Sequence, residues 1–318
     1  MSANKLNEDR FKDLYHFLLR QSISLAPYPG RFDTGVSRLH VSRLDVSSNL
    51  VSFVIKPAVL FFLDGFCQSD LGLYNVTVRP GNYVVLGSQM PALANVTVPP
   101  KRTFLLLMLI LDLPLLRGLV SSTPPAPCHH ENACPSGMAV GTVDEKMIQI
   151  LNELAGLAAN PVGGQPRSPE ILLRLYEHIL AAPQGAVLRL ASYSLHADIA
   201  RSINWLDEMF NEDIEVGDLA RIADMPLTSF YRHFKSVTSL SPIQYLKTVR
   251  LIEARRLLLF YHMTANEAAV KVGYLSTTQF SREYKRFFLN PPHRDVVHTL
   301  RYNTPIYQPF SLNHRYDG

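Results

Sequence analysis

The feature that most constrains this chain is an internal repeat in its C-terminal half. Ile214–Lys235 reads IEVGDLARIADMPLTSFYRHFK, and Met263–Lys285 reads MTANEAAVKVGYLSTTQFSREYK. The two segments align at an offset of 49 residues and, after one inserted residue, at an offset of 50. Each copy predicts a short helix, a turn and a second helix. This is the arrangement of a helix-turn-helix unit, whose second helix enters the major groove of DNA.

The second helix of each unit has an apolar face and a polar face. Phe230 and Phe234 lie four residues apart and predict one buried face, and in the second unit we expect Phe280, Tyr284 and Phe287 to be buried. The polar positions carry side chains that suit DNA: Arg reads guanine, Gln suits adenine, Thr and Ser serve either, and Lys contacts phosphate. The predicted DNA-binding residues are Thr228, Ser229, Tyr231, Arg232, Lys235, Thr277, Thr278, Gln279, Ser281, Arg282, Lys285 and Arg286.

The segment between the two units predicts one long helix. Ser241 suits the N-cap and Pro242 suits the first turn, and no helix breaker follows before about Phe260. At about 1.5 Å per residue, a helix from Pro242 to Phe260 is a rod of about 28 Å. Successive major grooves on one face of B-DNA lie about 34 Å apart. One rigid helix can therefore hold two recognition helices one DNA turn apart.

Positive charge is concentrated in the same region. The whole chain has a net charge of +4, but Arg221–Arg301 holds 13 basic and 5 acidic residues, a net charge of +8. A compact basic block indicates a polyanionic partner, although charge alone fits the solvated face of a helix bundle without a ligand equally well. The repeat and its spacing favour DNA.

The N-terminal half has a different pattern. Across Val36–Val120, short β-rich runs are separated by Pro and Gly, which predicts a β-sandwich or barrel. A helical stripe precedes it at about Asn4–Arg20, Ser121–Gly141 is predicted to be a loop, and a second helical stripe lies in Asp144–Asn160. The predicted domains are residues 1–190 and 195–300, followed by a tail at 301–318.

The stripe in Asp144–Asn160 has two interpretations. It either forms the helix–helix interface of a homodimer or packs on the barrel of its own chain. Its apolar members are Met147, Ile148, Leu151, Leu154 and Leu157.

The motifs of the C-terminal half also carry a family resemblance. The stretch DLARIADMPLTSFYRHFKSVTSLSPIQYLKTVRLIEARRLLL, followed by EAAVKVGYLSTTQFSREYKRFF and PPHRD, closely resembles the DNA-binding domain of the AraC/XylS transcription regulators over about Ser202–Asp295. RPGNYVVL at Arg79–Leu86 and ILLRLYEHILAAPQGAVLRLA at Ile171–Ala191 are more loosely similar to the N-terminal domain of that family.

This resemblance implies an α+β fold. We expect an N-terminal cupin-like β-barrel with helices, and a C-terminal all-α domain with two helix-turn-helix units joined by a long helix. It implies a transcriptional regulator and not an enzyme. Its implied partners are double-stranded DNA, RNA polymerase, a small-molecule effector at the N-terminal domain and a second copy of the chain in a homodimer.

The chain departs from the family pattern at its turns. Asp224 stands where the family usually has Gly in the first unit, and Asp tolerates a positive φ better than most residues. Ser239-Leu240 and Phe288-Leu289-Asn290 also stand in turns where Gly is common. We expect less regular C-terminal caps at these positions.

The three cysteines offer an alternative chemistry. Cys128-His129-His130-Glu131-Asn132-Ala133-Cys134 contains zinc-type ligands, but its spacing, in a stretch rich in Pro, Ser and Gly, favours an exposed loop over a zinc site. The same thiols are candidates for sensing oxidants or electrophiles. Cys67 is expected to be a small buried hydrophobe. A DNA-repair regulator with a reactive cysteine would normally need more cysteines than these three.

A metal-dependent cupin enzyme is the other alternative. Such a site needs clustered His and carboxylate ligands, and His40 is the only histidine in Val36–Val120, so we expect no metal and no other cofactor. Four aromatic side chains are candidates either for barrel core or for the lining of a small-molecule cavity: Tyr74, Tyr83, Phe61 and Phe62.

Composition favours a soluble cytoplasmic protein. Three cysteines in 318 residues do not make a disulfide framework. Charged residues interrupt the N-terminal segment, which does not fit a signal peptide. The longest apolar run, Phe104–Leu111, has eight residues, whereas a membrane span needs about 20.

Overall fold

A computed structural model of the chain describes residues 3–71, 74–122, 137–159, 167–192 and 194–301. The strands are β1 Gly30–Asp33, β2 Leu39–Leu44, β3 Ser48–Ile55, β4 Ala58–Asp64, β5 Phe66–Leu71, β6 Tyr74–Val78, β7 Asn82–Leu86, β8 Met90–Thr97, β9 Phe104–Ile110 and β10 Met138–Thr142. The helices are α1 Ala3–Leu25, α2 Leu113–Ser122, α3 Glu145–Ala159, α4 Ser168–Ala181, α5 Gly185–Ser192, α6 Ser194–Met209, α7 Val216–Ile222, α8 Leu227–Thr238, α9 Pro242–Phe260, α10 Ala265–Lys271, α11 Thr277–Phe288 and α12 Pro292–Arg301.

The N-terminal strands form two antiparallel sheets that face each other. One sheet has the order β1-β2-β9-β4-β7-β10 and the other has the order β3-β8-β5-β6. Apolar side chains from both sheets share one core, to which Leu60, Val84, Ala94 and Val96 belong. Helices α1 to α5 cover the other face of the six-stranded sheet through a second core. The predicted α+β architecture is confirmed, and the strands predicted to form a cupin-like β-barrel are present as two separate facing sheets.

The central strand β4 shows how the two cores share one sheet. All seven of its residues are buried, because helices cover one face and the second sheet covers the other. Successive side chains on a strand point to opposite faces. Phe61 therefore belongs to the core beneath the helices, and Phe62 belongs to the core between the sheets.

The prediction of a loop over Ser121–Gly141 is wrong at both ends of that segment. Ser121 lies in helix α2, which begins at Leu113 inside the region that we had expected to be β-rich. Met138–Thr142 forms β10 and pairs with β7 in an antiparallel register. The five residues MAVGT have little alternation of their own, so their strand conformation depends on hydrogen bonds to β7 that no local pattern encodes.

The apolar stripe in Asp144–Asn160 packs within its own chain. It lies on α3, where Met147, Ile148, Leu151 and Leu154 are each at most 2 % exposed. They belong to the core that α1 and α4 also contribute to. A dimer interface built from this stripe is therefore a wrong prediction, and the alternative of packing on its own domain is confirmed.

Candidate DNA-binding interface

The first helix-turn-helix unit consists of α7 and α8. In the turn between them, Asp224 adopts a φ of 53°, and the amide of Met225 donates a hydrogen bond to the carbonyl oxygen of Ala220 at 3.0 Å. Phe230 and Phe234 are fully buried, with ring centroids 5.4 Å apart. Their burial fixes the rotation of α8, so that its polar side chains point away from the core.

The second unit repeats this construction with α10 and α11. Gly273 adopts a φ of 84° at the position that Asp224 holds in the first unit. A Cβ at Gly273 would overlap the carbonyl oxygen of Asn211, which follows α6. Asp is accepted in the first turn, whereas the close approach of Asn211 requires glycine in the second.

The buried face of α11 differs from the prediction by one residue. Phe280, Tyr284 and Phe288 are fully buried, and Phe287 is only partly buried against the same core. Positions 280, 284 and 288 keep a spacing of four residues along one helix face, so Phe288 and not Phe287 continues it. The rings of Phe287 and Phe288 contact each other edge to face, with centroids 4.9 Å apart.

Most of the predicted DNA-binding side chains form two matched surface stripes. The first recognition stripe is Thr228, Tyr231, Arg232 and Lys235, and the second is Thr278, Ser281, Arg282 and Lys285, each exactly one repeat further along the chain. Within each stripe the spacing is i, i+3, i+4 and i+7, which places all four side chains on one face of the helix. Seven of these eight residues are exposed, and Ser281 is partly exposed.

The remaining predicted residues flank the stripes. Thr277 lies with the second recognition stripe around a shallow surface depression that Pro291 also borders. Ser229 and Gln279 occupy equivalent positions beside the two stripes, and Arg286 is exposed. The side-chain amide of Gln279 donates to Glu283 at 3.2 Å.

The connecting helix α9 runs unbroken from Pro242 to Phe260, as predicted. Ser241 forms a capping box with Gln244: its hydroxyl accepts from the backbone amide of Gln244, and the Gln244 side chain accepts from the backbone amide of Ser241. Val249, Ile252 and Leu257 are each at most 2 % exposed. The core around α9 contains the aromatic residues of both recognition helices, so the two units share one apolar interior.

Ion pairs along α9 attach it to α11 and α12. The guanidinium of Arg255 donates to Asp295 at 2.7 and 3.1 Å, and Tyr284 donates its hydroxyl to the same carboxylate at 2.8 Å. Lys247 contacts Glu283 at 2.7 Å. Sequence reasoning missed both contacts, because residues 36 and 40 positions apart carry no local signal of being neighbours.

Part of the basic block is therefore structural. Arg255 and Arg256 are buried in ion pairs, and Arg250 donates to the carbonyl oxygen of Phe210 at 2.6 Å. These cations support the fold and do not face a partner. The net charge of the segment therefore overstates its exposed charge. Among its described side chains, the exposed cations are the four of the stripes, Arg232, Lys235, Arg282 and Lys285, and four outside them, Arg221, Lys271, Arg286 and Arg294.

Both recognition helices end in the left-handed region without glycine. Ser239 and Leu289, which are equivalent in the repeat, both have a φ of 64°. The C-terminal caps are therefore irregular, as expected from the missing glycines. Each cap residue adopts a conformation that costs an L-amino acid roughly 1–2 kcal/mol.

We expect Leu289→Gly to stabilise the protein by about 0.5–1 kcal/mol, because relief of the left-handed strain exceeds the extra entropy of the unfolded chain. Leu289 is 73 % exposed, so little packing is lost. Urea unfolding measures the change. Leu289→Ala is the matched control, since it removes the same exposed side chain but keeps the Cβ. A glycine variant no more stable than the alanine variant would contradict this account.

The N-terminal region contains a cavity of about 110 Å³ between its two sheets. Phe62 lines it, whereas Phe61 and Tyr83 lie in the core beneath the helices. The side chain of Tyr74 lies outside what the structure describes. Of the two alternatives given for these aromatic residues, core packing is confirmed for Phe61 and Tyr83 and cavity lining for Phe62, because strand alternation turns Phe61 and Tyr83 to the opposite face.

The cysteine and histidine candidates have different outcomes. Cys67 is 6 % exposed and lines the cavity, and burial raises the pKa of its thiol to about 12, as expected for a small buried hydrophobe. The cluster from Cys128 to Cys134 lies outside the described residues. His40 contacts Asp33 at 2.6 Å, and burial, together with Arg31, lowers its pKa. Within the described ranges, no three His, Cys, Asp or Glu side chains are grouped as they would be around a metal ion.

The two regions of the chain meet at a seam beside the first unit. The hydroxyl of Ser88, in the β7–β8 turn, donates to the carbonyl oxygen of Val237 in α8 at 2.9 Å. Gln89 donates to the carboxylate of Asp207 in α6, and burial raises the pKa of that carboxyl well above its usual range. Leu93 in β8 packs on the core of the C-terminal helices. This seam was not predicted, because it joins residues more than 100 positions apart.

Two family models match the chain. The model of the AraC-type transcriptional regulator N-terminus matches residues 35–187, and a helix-turn-helix domain model matches residues 219–295. Across the part of the chain that the structure describes, no helix has both the length and the hydropathy needed to cross a membrane.

Individual relatives agree with these matches. The HTH-type transcriptional activator RhaS of Pectobacterium carotovorum is 29 % identical over 152 residues, 46 % of this chain and 52 % of the relative. RhaS of Salmonella schwarzengrund is 28 % identical over 156 residues, 48 % of this chain and 55 % of the relative. The chain thus spans about half the length of the curated relatives that it matches.

A solved structure with a similar fold is ToxT from Vibrio cholerae with a bound unsaturated fatty acid. It has a TM-score of 0.52 and 10 % sequence identity, and the match covers 82 % of this chain and 95 % of ToxT. At this identity the likeness concerns the fold alone, and it extends across both the N-terminal sheets and the C-terminal helices.

Proposed function

The chain belongs to the AraC/XylS family of transcriptional regulators, and on that premise we propose that it binds double-stranded DNA in a sequence-specific manner through α8 and α11. The observation that carries the proposal is the pair of matched recognition stripes, which present the same pattern of hydroxyl, Arg and Lys at an offset of 50 residues. A continuous helix of 19 residues connects the two units. In this proposal the stripes read two major-groove segments on one face of the duplex.

Each stripe combines two kinds of DNA contact. Arg232 and Arg282 have the planar fork that pairs with the O6 and N7 atoms of guanine. Lys235 and Lys285 lie one turn further along their helices, where a phosphate contact holds the register of the helix in the groove. Thr228, Thr278 and Ser281 offer hydroxyls to base edges or phosphates.

Other partners follow from the same proposal. We propose RNA polymerase as a second partner, because the relatives named RhaS are transcriptional activators. Bacterial chromosomal DNA as the target implies a cytoplasmic protein. The homodimer would need a surface other than the buried stripe of α3. The cavity between the N-terminal sheets supports a small-molecule effector.

Substitutions of the two cations of the first stripe, Arg232 and Lys235, are expected to reduce DNA binding in different ways. Arg232→Ala should cost about 1–3 kcal/mol of binding free energy on the specific site and should relax the preference at one base position. Lys235→Ala should weaken binding to all sequences alike and reduce the slope of log K against log salt by about one. Titrations of specific and random duplexes at several salt concentrations measure both effects.

The same experiment can be carried out on the equivalent residues of the second unit. Arg282→Ala and Lys285→Ala should reproduce the two behaviours at the other half of the site. The assignment of base reading to the arginines is overturned when both arginine variants lose the same affinity on specific and on random DNA.

A further inference from the structure

The two recognition helices differ beside their shared arginines and lysines. Helices α8 and α11 both have 12 residues and begin at equivalent positions of the repeat, Leu227 and Thr277. Three of the four stripe positions carry the same residue type in both units, and the fourth is Tyr231 in the first and Ser281 in the second. Leucine and tyrosine in the first unit thus stand where threonine and serine stand in the second.

These positions lie on the same surface as the stripes. In the second unit, Thr277 and Ser281 border one shallow depression together with Arg282. Residues four positions apart share one face of a helix, so Leu227 and Tyr231 form the equivalent pair in the first unit. The N-terminal residues of a recognition helix are those that contact base edges in the major groove, and both members of the pair lie in the first half of α8.

The fold does not cover this pair. Leu227 is 49 % exposed and Tyr231 is 37 % exposed. The N-terminal sheets reach α8 at its other end, where Ser88 contacts Val237, about 15 Å along the helix from Leu227. Single exposed apolar residues are common on protein surfaces. This pair is different because it adjoins Arg232, at positions where the second unit is polar.

The chemistry of the pair suits one feature of the major groove. Thymine presents its C5-methyl group there, and apolar side chains contact it, whereas the hydroxyl of a serine or threonine serves several base edges. Side chains one helical turn apart lie about 5–6 Å from each other, and stacked bases lie about 3.4 Å apart along a strand. An apolar pair of this spacing therefore spans about two base pairs.

We propose that Leu227 and Tyr231 read the methyl group of a thymine within about two base pairs of the guanine that Arg232 contacts. The second unit, with Thr277 and Ser281, makes no such demand on its half-site. The two half-sites therefore differ at this position, and the difference determines which unit occupies which half-site. The inference rests on the DNA-binding function proposed above and specifies the sequence that its first unit recognises.

Uracil tests this contact, because it pairs with adenine as thymine does but lacks the methyl group. The full chain first selects a duplex from a random pool, and Arg232→Ala identifies the first half-site by the base position at which the preference relaxes. We expect uracil in place of the thymine beside that guanine to raise the Kd about fourfold, which corresponds to about 0.8 kcal/mol for one buried carbon. Uracil in the second half-site should leave the Kd unchanged. A first half-site without that thymine, or equal affinity for thymine and uracil there, overturns the proposal.

Exchange of the side chains between the units tests the assignment to this pair. Leu227→Thr combined with Tyr231→Ser should bind the thymine and uracil duplexes with equal affinity. Thr277→Leu combined with Ser281→Tyr should create an effect of about fourfold for a thymine placed at the equivalent position of the second half-site. Val270→Ser is the matched control, since Val270 is 66 % exposed and lies outside both stripes, and it should keep the natural pattern. A uracil effect that persists in the first double variant, or does not arise in the second, contradicts the assignment.

The outcomes separate the two proposals. A protein that selects no DNA sequence overturns the proposed function, and the reading of thymine with it. A protein that selects a site and depends on Arg232 at one base position, but shows no uracil effect, overturns the reading of thymine alone.

Discussion

Val249→Pro is expected to abolish binding to the full DNA site. Val249 is fully buried near the middle of α9, and the core around it contains residues of both units. Proline removes one hydrogen bond of the helix and clashes with the preceding turn, which costs about 3 kcal/mol or more. Because both units pack on this helix, breaking it should displace one recognition stripe relative to the other.

Val249→Ala is the matched control for this change. It removes two methyl groups but keeps α9 helical, so the spacing of the stripes should survive a moderate loss of stability. Circular dichroism and gel-shift titration on the full site and on a single half-site distinguish the two variants. A proline variant that folds and binds the full site normally would show that the two units act independently.

Asp295→Ala is expected to destabilise the C-terminal domain by about 3–5 kcal/mol, the typical loss when one partner of a buried ion pair is removed. Arg255 and Asp295 have side chains only 6 % and 4 % exposed, so the remaining guanidinium would be a buried charge without its carboxylate. Tyr284 would lose its hydrogen-bond acceptor as well. Denaturant unfolding measures the loss, and DNA binding by the second unit should weaken with it.

The control for Asp295 is an ion pair of the same kind on the surface. Asp218 contacts Arg221, whose side chain is 79 % exposed. Exposed pairs contribute about 0–1 kcal/mol, so Asp218→Ala should change the stability little. A similar small change for Asp295→Ala would mean that the buried pair does not hold α12 on α9.

The C-terminal architecture was predictable because its signals are local and occur twice. Phe230 and Phe234 define a helix face by their spacing alone, and the second copy confirms the register of the first. Ser241 and Pro242 mark the start of α9 through capping chemistry that depends on adjacent residues. The same periodicity was less decisive where aromatic residues stand side by side, and it selected Phe287 instead of Phe288.

The predictions for the N-terminal region were open or wrong where the sequence does not encode which helices or strands cover a given face of a strand or helix. Phe61 and Phe62 are equally apolar, and only the assembled sheets show that one faces the helices and the other the cavity. The apolar stripe on α3 must likewise be buried against another surface. Its sequence alone does not determine whether that surface belongs to the same chain or to a second copy. The strand β10 and the seam at Ser88 depend on long-range pairing.

The central claim is that one rigid helix fixes two recognition helices on one face of DNA. The most direct test is to measure affinity for duplexes whose two half-sites, in the same orientation, are separated by different spacings. We predict the highest affinity when their centres lie about 10 base pairs apart, and a loss of joint binding when about five more base pairs turn one half-site to the opposite face. Affinity that does not depend on the spacing would contradict the claim.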